Sequence, residues 1–294
     1  ATGVQRVVRS YLKWLLHSPP AAFRVEPVYA TTNDGYRYAR RFTRHFLGQD
    51  ATDDADDPVR WQRGDIFFGL DMQHHVQLTH AAFYRRLQQE GVVVKFLVYD
   101  LLPIQLADLF KDSSAKELHE QWLAMIAATD GAICISKATA DVFDQWVAKG
   151  AVLRAPTFST SWVHIGADID GCQPSRGLPE DAESVLIALR QRPTFLCVST
   201  IEPRKRQSQI LEAVEFLWQQ GLALNLVFVG QPGWKTEALV ETLNQHSELG
   251  RRLFWLQGIS DEYLEQVYSA STCLIAASIN EGFGLSLIEA ARHA

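Results

Sequence analysis

Two acids, Glu281 and Glu289, bracket the stretch Gly282-Phe283-Gly284-Leu285-Ser286 near the end of a chain of 294 residues. Glu281 follows the run "TCLIAASIN", which places it just past a strand end. In open α/β sheets the carboxyl ends of strands line the ligand crevice. Gly282 and Gly284 tolerate positive φ and leave no side chain between backbone and ligand. A helix predicted from Leu285 would aim its free N–H groups and positive dipole end at the same gap. Such a gap receives a phosphate or a polyhydroxyl group. Glu289, one turn beyond Leu285, can accept hydrogen bonds from two vicinal hydroxyls, as the ribose-binding acid of dinucleotide folds does. The same spacing also suits a plain strand–turn–helix junction with surface acids, and spacing alone does not separate the two.

A second cluster, Glu202-Pro203-Arg204-Lys205-Arg206, follows the apolar run Phe195–Ser199. Three cations at a strand's carboxyl end would neutralise a diphosphate in the same cleft, arginine as a planar fork and lysine as a point charge. The competing reading is a solvated basic turn that caps the next helix. "GLDMQHHVQLTH" offers His74, His75 and His80 after a strand that ends at Asp71. Adjacent side chains diverge on strand and helix alike, so no three-histidine metal site is expected. Asp71 and His74 could instead line the acceptor side of a cleft. "GYRYARRFTRHF" sets Arg37, Arg40, Arg41 and Arg44 among aromatics on a predicted helix. That is either an ordinary amphipathic face or a contact for anionic lipid headgroups or a lipid diphosphate.

The elements that must hold these groups alternate along the chain. Strands are predicted at "FRVEPVYA", "DIFFGLDM", "VVVKFLVYD", "GAICIS", "SWVHIG", "TFLCVST", "LNLVFVG", "LFWLQG" and "TCLIAAS". Helices are predicted at 4–16, 78–90, 116–129, 137–149, 207–220, 236–245, 261–269 and 285–293. Continuous apolar strands joined by crossover helices describe parallel sheets covered on both faces, an open α/β architecture. Asp170–Val185, rich in Gly, Pro, Ser and charge with no long helix expected, reads as the approach to an interdomain linker. Two domains follow, 1–185 and 186–294.

Composition bounds the function. Hydrophobic content of 47% with 21% charged residues is that of a globular chain, and a net charge of -6 argues against nucleic acid as a partner. No apolar run approaches the ~20 residues of a membrane helix. The four cysteines form no C-x-x-C pair, and Cys134, Cys197 and Cys273 sit in apolar runs as small hydrophobes. A reducing, cytoplasmic setting fits, with no disulfide or zinc framework.

In order, "TIEPRKRQSQILEAVEFL", "LVFVGQPGW", "LFWLQGISDEYLEQVYSAS" and "INEGFGLSLIEA" resemble the donor-binding half of the family 4 (group 1) retaining glycosyltransferases. Earlier segments agree more loosely: "TGVQRVV" with the glycine-containing first loop, "VVVKFLVYDLLPI" with a cleft-lining strand, then "GAICISKATADVF" and "VHIGADID". The resemblance implies the GT-B fold, two Rossmann-like domains facing each other across a cleft. Within the family the chain looks most like bacterial enzymes of O-antigen and exopolysaccharide assembly, where mannosyl transfer is common.

By that resemblance Glu281 contacts the transferred sugar, and Gly282, Phe283, Gly284 and Leu285 hold sugar and diphosphate. Glu289 takes the ribose, Lys205 with Arg204 stabilises the leaving diphosphate, Asp100 stands at a cleft strand end, and Gly3 belongs to the first loop. The expected donor is a nucleotide diphosphate sugar, GDP-mannose by preference. The expected acceptor is a glycan or lipid-linked saccharide, with no metal, no further cofactor and a peripheral contact at the cytoplasmic face of the inner membrane. Three departures stand out. Tyr99 precedes Asp100 where many relatives carry a histidine, so that sugar contact is not carried over. Ser199-Thr200 stands where a further arginine is common. The sequence also begins mid-motif and ends early, which reads as a second domain cut short, a fragment or one module of a longer chain. Two alternatives stay open: a GT-B hydrolase or epimerase acting on the sugar nucleotide, and a non-catalytic module of a tandem enzyme.

Overall fold

The computed structural model describes residues 3–50, 55–150, 152–165 and 175–293. The chain divides into two compact units, 1–104 with 116–172 and 105–115 with 173–294.

The first unit opens with helix α1 (Gly3–His17), a two-residue antiparallel ribbon of β1 (Val28–Tyr29) and β2 (Arg37–Tyr38), and helix α2 (Arg40–Phe46). A parallel sheet follows in the order β3 (Ile66–Gly69), β4 (Val93–Val98), β5 (Gly131–Cys134), β6 (Ser159–Trp162). The helices between these strands are α3 (His74–Thr79), α4 (Ala81–Gln89), α5 (Leu102–Gln105), α6 (Ser113–Ala127) and α7 (Lys137–Lys149). Val94, Phe96 and Val98 on one face of β4 and Leu97 on the other are inaccessible, as a central parallel strand requires, while Val93 stays exposed. Trp122, Leu123 and Ile126 of α6 and Phe143 of α7 join the same core. α7 starts where Ser136 accepts a hydrogen bond from the Thr139 amide, an N-cap.

Three local expectations need correction here. "FRVEPVYA" supplies only Val28–Tyr29, and these pair antiparallel with β2 outside the parallel sheet. Pro27 cannot donate to a ladder; its carbonyl instead accepts from the Ala39 amide. The stretch 35–46 is strand before it is helix, because Arg37 is bridged to Pro58 and α2 begins only at Arg40. The helix expected at 78–90 is broken at His80, whose ring bonds the Thr31 carbonyl at 2.8 Å.

The second unit holds helix α8 (Ala182–Arg190), β7 (Thr194–Val198), α9 (Gln207–Gln219), β8 (Asn225–Val229) and α10 (Glu237–Gln245). β9 (Leu253–Leu256), α11 (Asp261–Ala270), β10 (Cys273–Leu274) and α12 (Leu285–Ala291) complete it. Its strands are all parallel, in the order β10-β7-β8-β9. α8 begins inside Asp170–Val185, where no long helix is expected, and runs past it; Ala182, Leu186 and Leu189 recur at helical spacing and are buried. Among the described residues no helix is long and apolar enough to cross a membrane.

A buried histidine pair marks the first unit. His74 Nε2 lies 2.9 Å from His119 Nδ1, and His119 Nε2 lies 3.0 Å from the Asp100 carbonyl. The carbonyl can only accept, so His119 carries its proton on Nε2 and receives a hydrogen bond from His74. Burial depresses His119 to about 4; burial, with repulsion from His119 and His75, does the same to His74. Both rings are therefore neutral at pH 7. An unfolded imidazole titrates near 6.5, so the unfolded chain binds more protons between about pH 6.5 and 4. Stability is then lost as pH falls through that window, by up to about 1.4 kcal/mol per pH unit for each ring. Melting curves from pH 7 to 4 should show this slope, and His119→Gln should flatten it.

Candidate active site

β7 has β8 on one side and β10 on the other, although β10 comes last in the chain. This is a topological switch point of an open sheet, and the loops leaving β7 and β10 border a crevice beyond their carboxyl ends. Both clusters singled out in the sequence emerge there. The crevice is lined by Cys197, Ser199, Lys205, Ser278, Glu281 and Gly284, among others, and encloses about 310 Å³, part of it open to solvent.

The β7 loop is held rigidly. Pro203–Lys205 form one 3-10 turn, and Arg206 then adopts a left-handed conformation (φ 59°), uncommon for a residue with a side chain, from which α9 departs. Gln207 is buried, and its Nε2 donates to Ser199 Oγ and to the Thr200 carbonyl, both at 2.9 Å. The loop after β8 braces the other side, with Ile201 N donating to the Gln231 carbonyl and Gly233 N to the Ile201 carbonyl. This approach needs Gly230, where a Cβ would lie 2.0 Å from the Ser199 carbonyl oxygen.

Across the crevice, Lys205 Nζ is ion-paired with Glu281 Oε1. Arg204 reaches Glu281 Oε2 through Nη1 at 3.4 Å and Glu202 Oε1 through Nη2 at 2.6 Å. The two cationic side chains are only 14–16% exposed and Glu202 only 3%, so these charges act on one another with little solvent screening. Burial raises the Glu202 carboxyl above its ordinary value, against the pull of Arg204 and Lys205. Burial also works to raise Glu281, but the charge and hydrogen bond of Lys205, with Ser278 and Arg204, outweigh it and hold that carboxyl below its ordinary value. Two cations thus face two carboxylates. An arriving diphosphate has to compete with Glu281 for Lys205.

The fold therefore gathers Arg204, Lys205, Glu281 and Gly284 at one place. Gly284 takes φ 86° and precedes α12, whose first residue is Leu285; Gly282 and Phe283 form the bend before it. Arg206, expected as a third cation, serves as the left-handed hinge. Glu289 is buried on α12, its Oε2 accepting from the Tyr268 hydroxyl at 3.0 Å, and is not among the residues lining the crevice. Asp100 and Gly3 belong to the first unit. Asp100 follows the carboxyl end of β4 and caps α5 through a 3.0 Å bond from Leu102 N, and Gly3 opens α1. Tyr99 is buried, and its hydroxyl donates to the Leu70 carbonyl at 2.8 Å, tying the ends of β3 and β4.

Two contributors, Gln207, which fixes the loop, and Asn280, escaped sequence reasoning, and Glu202, named there without a role, fixes Arg204. The Asn280 side chain accepts from Glu281 N at 2.8 Å, and its carbonyl accepts from Arg204 at 3.3 Å. Polar side chains next to recognised charges are the only signal, and it is weak. Cys197, expected as a small hydrophobe, is buried at the crevice wall with its thiol pushed up to about 11 by that burial. Among the described residues no three His, Cys, Asp or Glu side chains converge as a metal site would need.

Against solved structures the chain is similar to Anabaena HepE in complex with UDP-glucose (TM-score 0.55, 17% identity, 78% of this chain and 57% of that one). It is also similar to an α,α-trehalose-phosphate synthase from Burkholderia xenovorans (TM-score 0.54, 11% identity, 78% and 55%). At these identities the likeness shows the fold alone, which is GT-B. In sequence it is 38% identical over 295 aligned residues to the Escherichia coli serotype-specific mannosyltransferase WbdA, covering 99% of this chain. It is 31% identical over 99 residues to the Escherichia coli O-antigen chain mannosyltransferase B, covering 32% of this chain and 25% of that protein. The chain spans 36% of the length of the WbdA sequence it matches. Residues 182–293, which carry both charged clusters, match the family model of the glycosyl transferases group 1.

Proposed function

We propose that this chain is a retaining hexosyltransferase that moves mannose from GDP-mannose to a growing glycan or lipid-linked saccharide. One observation carries the reading: Arg204 and Lys205 meet Glu281 across the switch-point crevice, where a glycine-lined turn leads into α12. The choice of mannose is supported by the two relatives, both mannosyltransferases. No metal or further cofactor enters the proposal.

In this mechanism the donor's diphosphate displaces Glu281 from Lys205 and takes its place between Lys205 and Arg204. Glu281, released, accepts hydrogen bonds from the sugar hydroxyls. Glu289 binds the ribose, a role that requires its carboxylate to exchange the Tyr268 hydroxyl for those of the ribose. As the glycosidic bond stretches, positive charge grows on the sugar and negative charge on the diphosphate. Fixed cations strengthen most at that moment, and that differential lowers the barrier. The acceptor hydroxyl attacks from the face the diphosphate leaves, and its proton passes to a diphosphate oxygen. The Cys197 thiol, held protonated by burial, is unsuited to act as a nucleophile in a competing double displacement. Asp100 would serve the sugar or acceptor from the first unit, and Gly3 the first loop.

The same proposal places the protein in the cytoplasm with a peripheral contact at the membrane. Phe42 and Phe46, stacked on α2, would carry that contact, because Arg37 and Arg40 are tied to Asp34 and Asp57. Product analysis with GDP-mannose, with and without a mannosylated acceptor, tests the activity. Transfer dependent on acceptor supports it, whereas free mannose alone or an epimerised sugar nucleotide contradicts it.

A further inference from the structure

Residues 105–115 belong to the second unit although they lie in the chain between two elements of the first. They are fastened there at several points. Trp234 Nε1 donates to the Leu109 carbonyl at 2.8 Å, its ring stacks on Phe110 at 5.4 Å, and Lys235 Nζ donates to the Asp108 carbonyl at 2.9 Å. Lys235 adopts a left-handed backbone (φ 53°), a cost that the folded loop sustains while presenting its ammonium to this segment. At the start of the segment, Gln105 Oε1 accepts a hydrogen bond from Asn280 Nδ2 at 3.1 Å. Asn280 is the residue before Glu281. With its side-chain nitrogen held by Gln105, its side-chain oxygen is oriented to accept from the Glu281 amide at 2.8 Å.

We infer that Gln105 is a positioning residue for the catalytic loop: through Asn280 it sets where the Glu281 backbone sits, and thereby which direction the Glu281 carboxylate can face. The chain of contacts runs Trp234 and Lys235, the 105–110 strap, Gln105, Asn280, Glu281. Each link is a hydrogen bond or ring stack within the second unit. Arg204 secures the other side of the same loop, donating to the Asn280 carbonyl while its own carbonyl accepts from Ile279 N. Gln105 supplies the restraint that does not depend on Arg204. When diphosphate draws Lys205 and Arg204 away from Glu281, that restraint remains and keeps the freed carboxylate aimed at the sugar. The catalytic consequence rests on the proposed function; the positioning itself rests on the geometry alone.

Gln105→Met removes the acceptor at similar size, and Gln105→Glu keeps it. Hydrogen exchange on the full chain should show amides of 278–284 exchanging about fivefold faster in Gln105→Met, the equivalent of one lost hydrogen bond. Gln105→Glu should match the wild type. In transfer assays with GDP-mannose, Gln105→Met should lower kcat about tenfold by misplacing Glu281, with affinity for GDP and melting temperature unchanged. Unchanged exchange in Gln105→Met overturns the inference, as does a parallel fall of kcat, GDP affinity and melting temperature, which would mark a merely structural role. A wild type without transfer, but with the exchange difference present, contradicts the proposed activity and supports the positioning.

Discussion

Lys205→Ala should reduce mannosyl transfer by about 100–1,000-fold, the loss of one preorganised charge contact of roughly 3–4 kcal/mol in the transition state. The loss should fall mainly on kcat, because the ammonium matters most when the diphosphate gains charge as it departs. Stability should change little. Glu281 stays near Arg204 at 3.4 Å and its side chain is 31% exposed, so its carboxylate is not stranded in a dry interior. Lys205→Arg should recover only part of the rate, since a planar fork replaces a compact point charge on a turn whose reach is fixed by Pro203 and Gln207. Steady-state kinetics with GDP-mannose, paired with a melting curve, checks both halves. Near-normal kcat in the alanine variant would remove Lys205 from the mechanism.

Glu281→Gln should move binding and turnover in opposite directions. The ion pair with Lys205 and the contact with Arg204 neutralise the anion site from within. Removing the negative charge frees Lys205 for a diphosphate and leaves Arg204 paired with Glu202 alone, and GDP should bind about five- to tenfold more tightly, a gain of roughly 1 kcal/mol for an ion pair of this exposure. Transfer should still fall about 100-fold or more, because a neutral amide cannot stabilise the positive charge growing on the sugar. Acid does not mimic the substitution near neutrality. The Glu281 carboxyl is held below its ordinary 4.5, so its pairing energy is complete above that value and is lost only as pH falls through the lower folded one. Calorimetric titration with GDP reads the first effect and initial rates the second. Weaker GDP binding by Glu281→Gln would show that the acid supports the diphosphate rather than competing with it.

How much of this was legible beforehand depended on the range of the interaction. The parallel strands read well: every residue of β8 is buried, and β4 is buried apart from Val93 and Lys95, which leaves few other solutions. The cationic turn and the glycine bend could each be placed at a strand end from local sequence. Their meeting depended on β10 lying beside β7, a strand order that the spacing of residues does not encode. Short ribbons read poorly: Arg37–Tyr38 pairs through two residues only, and local helical pattern outweighed it. The ion pair of Lys205 with Glu281 was not foreseen either. Each residue was read as facing a ligand, whereas apposed opposite charges satisfy one another. Gln105 lay wholly outside sequence reasoning, because nothing in "LPIQLADLF" signals that the segment belongs to the second unit.

The central claim is that a nucleotide's diphosphate lies between the Arg204–Lys205 turn and the Glu281–Gly284 bend. A crystal structure of the protein with GDP tests it most directly. The account predicts diphosphate oxygens within hydrogen-bonding distance of Lys205 Nζ, with the Glu281 carboxylate turned away from that lysine. GDP bound elsewhere, with the pair of Lys205 and Glu281 intact, would contradict it.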